Sequence, residues 1–388
     1  MAPPLPRAVK ALGLVSLLTD ASSEMIYPLL PAFVTGTLKA GPAFLGAVEG
    51  LAEATAALVK LAAGRLADRL PRRKPLVVAG YGLSSATRPL MALATLPAHV
   101  LVVRLLDRVG KGVRGAPRDA LLADVTPEDR WGRAYGFHRA MDHAGAVVGP
   151  ILASAALLFT TDLRIVFALA AVPAVLAVAA LVFGVREEPR GRPGPAPAKE
   201  GAGPIRPELR PYLFVLAVFT LGNSSDAFLL LRAQEAGVSL TAIPLLWAFH
   251  HVVKSAASTA GGSLSDRGGR RKAIVAGWAV YALVYAGFSQ ARTATHVLLL
   301  FAAYGLFHAL TEGPERALVA DLAGPGARGR AFGLYHAVTG AALLPASLLT
   351  GYLWQAFSPA VALGTGAALA AAAAVGLLTV VPEGRRAG

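Results

Sequence analysis

The stretch GRLADRLPRRK (residues 64–74) is a short charged segment between two long apolar runs. A second stretch, GSLSDRGGRRK (262–272), keeps the glycine, the leucine, the Asp-Arg pair and the closing Arg-Arg-Lys in the same order. The motif SSE (22–24) likewise returns as SSD (224–226). Because unrelated apolar helices do not match at polar positions, these repeats indicate that the chain consists of two related halves.

The chain carries more apolar surface than a soluble protein of its size can bury. Of its 388 residues, 55% are hydrophobic and 15% are charged, and the mean hydropathy is +0.55. We therefore expect the lipid bilayer to be its main partner. Twelve apolar runs approach the roughly 20 residues that cross a bilayer as a helix. They cover 10–36, 42–64, 75–96, 99–123, 133–160, 164–184, 210–233, 240–263, 273–291, 295–321, 330–356 and 359–381. The sequence thus predicts an all-α membrane protein with twelve transmembrane helices in two pseudo-symmetric six-helix bundles.

The basic residues are distributed unevenly along the chain. More than half of the 37 Lys and Arg residues lie in the termini and in every second connecting segment. Basic segments resist translocation, so this bias places both termini in the cytoplasm and predicts a multi-pass protein of the cell (inner or plasma) membrane. It also argues against nucleic-acid binding, despite a net charge of +14. The chain has no cysteine, which excludes disulfides and thiolate metal sites.

A segment rich in proline, glycine and charge separates the sixth and seventh runs. Its composition predicts a flexible cytoplasmic linker over 186–209. We therefore expect an N-terminal six-helix bundle over 1–185 and a C-terminal six-helix bundle over 210–388.

The segment 64–74 resembles the signature loop of the major facilitator superfamily, and the resemblance covers essentially the whole chain. The matching positions are Gly64, Leu66, Ala67, Asp68, Arg69, Arg72 and Arg73. Pro71 stands where the family usually has glycine, whereas the second copy keeps Gly269. The resemblance implies a secondary transporter that works by alternating access and is not an enzyme.

The resemblance also implies a cytoplasmic gate in each half. The gate residues would be Asp68, Arg72 and Asp124 in the first half, and Asp266, Arg270 and Asp321 in the second. Exposed ion pairs are worth only about 0–1 kcal/mol each, which suits a contact that opens in every transport cycle. The alternative is that these residues only retain basic loops in the cytoplasm.

The fourth apolar run carries a stripe of basic residues. Arg104, Arg108, Lys111, Arg114 and Arg118 fall within an arc of about 120° on one helix face. Facing lipid, this stripe would cost on the order of ten kcal/mol, so we expect it to face water or partner helices. The motif RVGKG (108–112) resembles the Arg-x-x-Gln-Gly motif of proton-coupled efflux antiporters, whose arginine is linked to proton transfer. Lysine in place of glutamine hints at an anionic group on the substrate.

Acidic residues and histidines occur at similar depth. Asp20 and Glu24 in the first run, and Glu49 and Glu53 in the second, each lie one helical turn apart. Paired carboxylates can exchange a proton, and His138 with Asp142 forms another i,i+4 pair that suits coupling. Alternatively, the acids neutralise the bases of the fourth run as a structural network.

From these patterns we expect proton-coupled efflux (antiport) of a small polar or amphiphilic organic solute. The expected proton-coupling residues are Asp20, Glu24, Arg108, Asp142 and His138. The expected substrate-binding residues are Arg104, Lys111, Glu49, Glu53, His143, Asn223, Asp226, His250, His308 and Glu312. Uptake of an organic anion or zwitterion, and less favoured a metal-ion exporter, are the alternatives. We expect H⁺ as coupling ion, a monomer, and no cofactor, catalytic residue or bound metal.

Overall fold

All regular structure in the described part of the chain is helical. The computed structural model describes residues 4–187, 206–323 and 327–381, without the side chains of 258–268. Its helices are α1 (Arg7–Ile26), α2 (Pro42–Arg69), α3 (Lys74–Thr87), α4 (Pro97–Asp124), α5 (Trp131–Leu157), α6 (Leu163–Leu169 and Ala171–Gly184), α7 (Leu209–Gly222 and Ala227–Glu235), α8 (Ala242–Gly268), α9 (Arg270–Gln290), α10 (Ala294–Ala323), α11 (Arg328–Ala356) and α12 (Pro359–Val380). The all-α prediction is confirmed, and each predicted run overlaps one of these helices.

Eight helical stretches in the described residues are long and apolar enough to cross a membrane. They lie in α2, α5, α6, α7, α9, α10, α11 and α12. Helix α4 carries too many charges to meet this criterion, and α3 has only 14 residues before the backbone tightens into the 3₁₀ turn Arg88–Leu93. The apolar runs therefore located the helices, although the most highly charged of them, α4, does not meet a criterion based on hydropathy.

Several helix ends follow from local sequence. Asp162 caps the N-terminus of α6 by accepting from the Arg164 backbone N–H at 2.9 Å, and Ser358 caps α12. Helix α1 ends at Ile26 because Pro28 lacks an N–H donor, and the backbone continues through 3₁₀ and π turns to residue 37. Helix α7 is broken over residues 223–226, which leaves backbone groups within the span available to side chains.

The chain divides into two compact units. Unit 1 comprises Met1–Ala40, Leu51–Gly194 and Ser239–Ala248, and unit 2 comprises Gly41–Gly50, Pro195–Val238 and Phe249–Gly388. The division at 194–195 lies within the predicted linker 186–209, of which residues 188–205 lie outside the described part. The first turns of α2 belong to unit 2 and those of α8 to unit 1, which no sequence pattern indicated.

Unit 1 is held together by close helix crossings and a small apolar core. Its core residues come from α1, α3, α4, α5 and α6: Val9, Leu12, Val15, Val77, Tyr81, Leu121, Leu122, Ala134, Leu181 and the adjoining Val185. Gly80 of α3 lies so close to α4 that a Cβ atom there would be 2.7 Å from the Arg114 backbone nitrogen. This approach brings the charged stripe of α4 against α3.

Unit 2 has an aromatic core. Fully buried rings come from α9 and α10: Trp278, Tyr281, Tyr285, Phe288, Phe301 and Tyr304. Phe219 of α7 stacks on Trp278 at a centroid distance of 4.5 Å, and Tyr281 stacks on Tyr285 at 4.1 Å. The hydroxyl groups of Tyr281 and Tyr304 reach the break in α7, as described below.

The α3–α4 crossing can be tested with a matched pair of glycines on α3. Gly80→Ala should lower the free energy of unfolding by about 1–3 kcal/mol, because the added methyl meets backbone atoms. Gly82→Ala should leave it unchanged or raise it by up to about 1 kcal/mol, because nothing lies within 4 Å of that position. SDS-driven unfolding in mixed micelles measures both, and equal effects would contradict the proposed close approach.

Candidate functional site

The basic stripe of α4 is largely buried inside unit 1. Arg104, Arg108 and Arg114 are each less than 9% exposed, as is Asp107 on the same face. Lys111 is exposed, and no carboxylate of the described residues forms an ion pair with it. The stripe therefore faces protein along most of its length and offers one accessible base.

A buried ion pair joins α4 to the end of α3. Arg88 Nε lies 3.1 Å from Asp107 Oδ1, and Arg88 Nη1 donates to the Thr19 carbonyl at 2.9 Å. Both Arg88 and Asp107 are 4% exposed. Arg88 was not among the expected site residues, although an arginine inside an apolar run indicates a functional or structural contact.

Arg108 is held by a second carboxylate. Its Nη2 lies 3.1 Å from Glu53 Oε1 on α2, and its Nη1 lies 3.8 Å from Asp107 Oδ2. Glu53, which we expected to bind substrate, is thus engaged in an ion pair. The neighbouring arginines contact rings: Arg104 lies 5.7 Å from the Tyr27 ring centroid, and Arg114 lies 4.5 Å from that of Tyr81.

Asp142 of α5 is the centre of a polar cluster in unit 1. It accepts a hydrogen bond from the Ser16 hydroxyl of α1. His138 Nδ1 lies 3.5 Å away and Arg139 Nη1 lies 3.8 Å away. His138 is 4% exposed, while His143, one turn further along, is half-buried. The predicted His138–Asp142 pair is therefore formed in the structure.

Asp20 and Glu24 share a face of α1 but have different neighbours. Asp20 is half-buried and interacts electrostatically with Asp142, Arg114, Lys111 and Arg118. Glu24 accepts from the Trp247 indole N–H at 2.8 Å. Trp247 precedes the α8 residues that belong to unit 2 and lies far from Glu24 in sequence, so no local pattern could have revealed this contact.

The break in α7 holds the predicted polar residues of unit 2. Asp226 Oδ1 accepts from the Tyr304 hydroxyl at 2.6 Å, and Asn223 Oδ1 accepts from the Tyr281 hydroxyl at 3.3 Å. Glu49, at the start of α2, is 2% exposed and accepts from the Ser225 hydroxyl at 3.2 Å. The tyrosine partners were absent from our expected site because their roles depend on the break.

The histidines of unit 2 lie between α8 and α10. His250 is buried, with Nδ1 3.3 Å from the Phe301 carbonyl, and its ring is 5.6 Å from that of His308. His308 Nδ1 lies 3.5 Å from Glu312, and Lys254 Nζ lies 2.7 Å from the same carboxylate. Glu312 is therefore paired with a base.

Glu315 is a buried acid that was missing from the expected site. One of its oxygens accepts from the Trp278 indole N–H at 3.0 Å and the other accepts from the Tyr335 hydroxyl at 3.0 Å. It is 8% exposed. In the described residues, no group of three or more His, Asp or Glu side chains is arranged to hold a metal ion.

The first gate pair forms on a different arginine from the one expected. Arg73 Nη1 lies 2.7 Å from Asp124, and Arg73 Nη2 lies 3.6 Å from Asp68. Arg72 is exposed, so its proposed contact with Asp124 is corrected to Arg73. In unit 2, Arg270 forms an ion pair with Asp321 as expected. The side chain of Asp266 lies outside the described residues.

A carboxylate at the end of α6 fixes the first loop. Glu187 accepts from the backbone N–H groups of Arg73 and Lys74 at 2.7 and 2.8 Å. Lys74 Nζ in turn donates to the carbonyls of Val182 and Val185. Burial lowers the pKa of the Arg73 guanidinium, whereas Asp68 and Glu187 oppose that shift. These contacts close the end of α6 against the loop that carries Arg73.

The family model described as Major Facilitator Superfamily matches residues 12–250 and 212–388. The chain belongs to the major facilitator superfamily. An uncharacterized MFS-type transporter of Methanocaldococcus jannaschii is 36% identical over 376 residues, covering 94% of this chain and 93% of that protein. The multidrug resistance protein MdtH of Yersinia enterocolitica is 28% identical over 130 residues, which are 34% of this chain and 32% of MdtH.

Solved transporter structures share the fold of this MFS protein. A bacterial homologue of the human lysosomal transporter Spinster has a TM-score of 0.74 at 17% identity, covering 96% of this chain and 95% of that chain. A POT family transporter in complex with 5-aminolevulinic acid has a TM-score of 0.81 at 12% identity, with coverages of 97% and 96%. The protein is thus a secondary transporter with the MFS fold.

The corrected loop contact gives a direct test against the neighbouring arginine. A double-mutant cycle of Arg73→Gln with Asp124→Asn should show a coupling of about 0.5–1 kcal/mol in the free energy of unfolding. The same cycle with Arg72→Gln should show none, because Arg72 is exposed and Arg73 makes the contact. Equal coupling of Asp124 to both arginines, measured in SDS titrations, would contradict the assignment of this contact to Arg73.

The buried pair between α3 and α4 should respond asymmetrically to mutation. Asp107→Asn should cost about 3–5 kcal/mol, because it leaves the Arg88 charge buried without its counter-ion. The double variant Arg88→Met, Asp107→Leu should recover at least half of this loss. Asp129→Asn, on an exposed loop residue, is the control and should stay within about 0.5 kcal/mol. A double variant no more stable than Asp107→Asn would show that the charge pair itself is needed.

Proposed function

We propose that this MFS transporter couples the inward movement of protons to the efflux of a small polar or amphiphilic organic solute by alternating access. The observation that carries the proposal is the cluster of Asp142, His138 and Ser16, with Asp20 of α1 as an electrostatic neighbour. It contains two carboxylates and an imidazole within one unit. These are the side chains that bind and release protons under physiological conditions.

The acids of unit 1 fall into two groups, according to how close an arginine lies to the carboxylate. Asp107 and Glu53 each have an arginine within 3.1 Å, so protonating either would leave a cation without its counter-ion. Asp142 accepts from Ser16 and has only the exposed Arg139, 3.8 Å away, as an arginine neighbour, and Glu24 accepts from the Trp247 indole. We therefore assign proton exchange to Asp20, Glu24, His138 and Asp142. Arg108 contributes by holding Glu53 in an ion pair.

The paired loops supply the gate in this proposal. Arg73 with Asp124 in unit 1, and Arg270 with Asp321 in unit 2, join the loop after the second helix of each half to the end of its fourth helix. Their side chains are partly exposed, so each pair is weak enough to break in every cycle. We place these loops on the cytoplasmic side because they are rich in Lys and Arg.

The direction of transport rests on two considerations. The local similarity to the multidrug resistance protein MdtH favours efflux. Lys111, an exposed base without an ion-pair partner among the described residues, favours the second candidate, which is uptake of an organic anion or zwitterion. Flux measurements with permanently charged probes separate the two.

Proteoliposomes with an imposed pH gradient test the coupling. We expect the gradient to drive concentrative flux of benzyltrimethylammonium or benzenesulfonate against the proton flow. In Asp142→Asn, gradient-driven flux should fall at least about tenfold, while solute exchange without a gradient persists, because the carboxylate is no longer available to exchange protons. Asp129→Asn is the matched control and should transport normally. Gradient-driven flux that is unchanged in Asp142→Asn and in Asp20→Asn would reject this coupling site.

A further inference from the structure

The break in α7 exposes a carboxylate whose hydrogen bonding is incomplete. Asp226 is half-buried, and its Oδ1 accepts from the Tyr304 hydroxyl at 2.6 Å. Within the described residues no Lys, Arg or His lies within ion-pair distance of Asp226, although His308 is an electrostatic neighbour. Glu312 differs, because Lys254 lies 2.7 Å from it. An acid in a membrane-spanning segment without a counter-ion is costly to maintain and marks a functional position.

A second oxygen acceptor lies beside Asp226 in the same break. The Tyr281 hydroxyl donates to the Gly222 carbonyl at 3.0 Å and to Asn223 Oδ1 at 3.3 Å. Two tyrosine hydroxyls thus orient the acceptor groups of residues 222–226. The break therefore presents the Asp226 carboxylate and the Asn223 amide oxygen as acceptors, beside the donors of the Asn223 amide and Ser225.

The rings beneath these hydroxyls form a rigid support. Tyr281 and Tyr304 are at most 1% exposed. Tyr281 stacks on Tyr285, and Tyr304 lies parallel to Phe307 at 5.7 Å and to His250 at 5.0 Å. Because packed rings cannot swing away, Asp226 and Asn223 keep their positions whether or not a ligand is present. Such preorganisation lowers the ordering cost of binding.

We propose that Asp226, assisted by Asn223, binds the ammonium group of the transported solute, which is therefore an organic amine or an amine-bearing zwitterion. This inference rests on the proposed transport function and names the chemistry of its substrate. The Tyr304 hydroxyl occupies Oδ1, so Oδ2 receives the N–H donors of the ammonium group. An anionic group is disfavoured here, because it would face the Asp226 carboxylate. Glu315 does not compete, because both of its oxygens already accept hydrogen bonds.

A matched set of benzyl and phenyl compounds isolates the role of the charged group. Binding to the purified protein in detergent is measured by calorimetry with benzylamine, benzyltrimethylammonium, benzyl alcohol and benzenesulfonate. Benzylamine should bind most tightly, because it has both the positive charge and the N–H donors. Benzyltrimethylammonium should bind more weakly, and the alcohol should bind at least about tenfold more weakly than benzylamine. Benzylamine binding no tighter than benzyl alcohol, or no binding by benzylamine, overturns the proposal.

Three variants locate the amine. Asp226→Asn should weaken benzylamine binding about tenfold or more, because a charge-assisted hydrogen bond is lost. Tyr304→Phe should weaken it about threefold by releasing Oδ1 while keeping the ring, and it tests the same carboxylate if Asp226→Asn fails to fold. Glu235→Gln, which removes an acid at the end of α7 already paired with Arg232, is the control and should leave affinity within about twofold. Unchanged affinity in both Asp226→Asn and Tyr304→Phe places the amine elsewhere and overturns the assignment.

The flux assay distinguishes failure of this inference from failure of the proposed function. A pH gradient that drives benzenesulfonate, together with absent benzylamine binding, leaves proton coupling in place and rejects the amine site. Benzylamine binding that depends on Asp226, together with absent gradient-driven flux of the permanently charged probes, supports the amine site and rejects proton coupling.

Discussion

Buried charges on α4 are stable only where neighbouring helices supply partners for them, and this requirement organises unit 1. Asp107 lies between Arg88 and Arg108, and Glu53 holds the other side of Arg108. The contacts connect α2, α3 and α4, and the Arg88 hydrogen bond to Thr19 adds α1. Taking these charges out of water is repaid only when each has a partner. The close approach of Gly80 to α4 provides the distance at which these partners meet.

In unit 2, uncharged residues occupy the positions that correspond to the Arg88–Asp107 ion pair of the α3–α4 crossing. The register that aligns Asp124 with Asp321 also aligns Asp107 with Tyr304 and Arg88 with Tyr285. In unit 2 these two tyrosine rings lie 6.4 Å apart and are fully buried. A buried ion pair and an apolar pair of similar volume are often equivalent in stability. The Tyr304 hydroxyl orients Asp226, whereas Glu24, the matching acid of unit 1, accepts from the Trp247 indole.

The apolar runs were sufficient to predict the helices, and the repeat was sufficient to predict that two loops carry related ion pairs. The resemblance to the family's signature loop nevertheless implied Arg72 as the gate residue. In the structure, four residues separate α2 from α3, whereas Gly269 alone separates α8 from α9. Asp68 and Asp124 are 56 positions apart and Asp266 and Asp321 are 55 positions apart, so the first half has one additional residue, and the arginine that reaches Asp124 is Arg73. The Glu24–Trp247 contact could not be predicted, because it depends on where distant helices pack.

The partners of each carboxylate separate structural from exchangeable charges more clearly than burial does. Asp107, Glu53, Asp124 and Asp321 have arginine partners, and neutralising any of them leaves a cation without its counter-ion. The carboxylates of Glu24 and Asp226 accept hydrogen bonds from an indole and a phenol, both uncharged. Such a carboxylate can receive a proton or an ammonium group without breaking an ion pair, because a neutral donor can remain in place whether the site is charged or neutralised. In the proposed mechanism the site fills and empties in every cycle, and Glu24 and Asp226, which are held by neutral donors, are suited to that role.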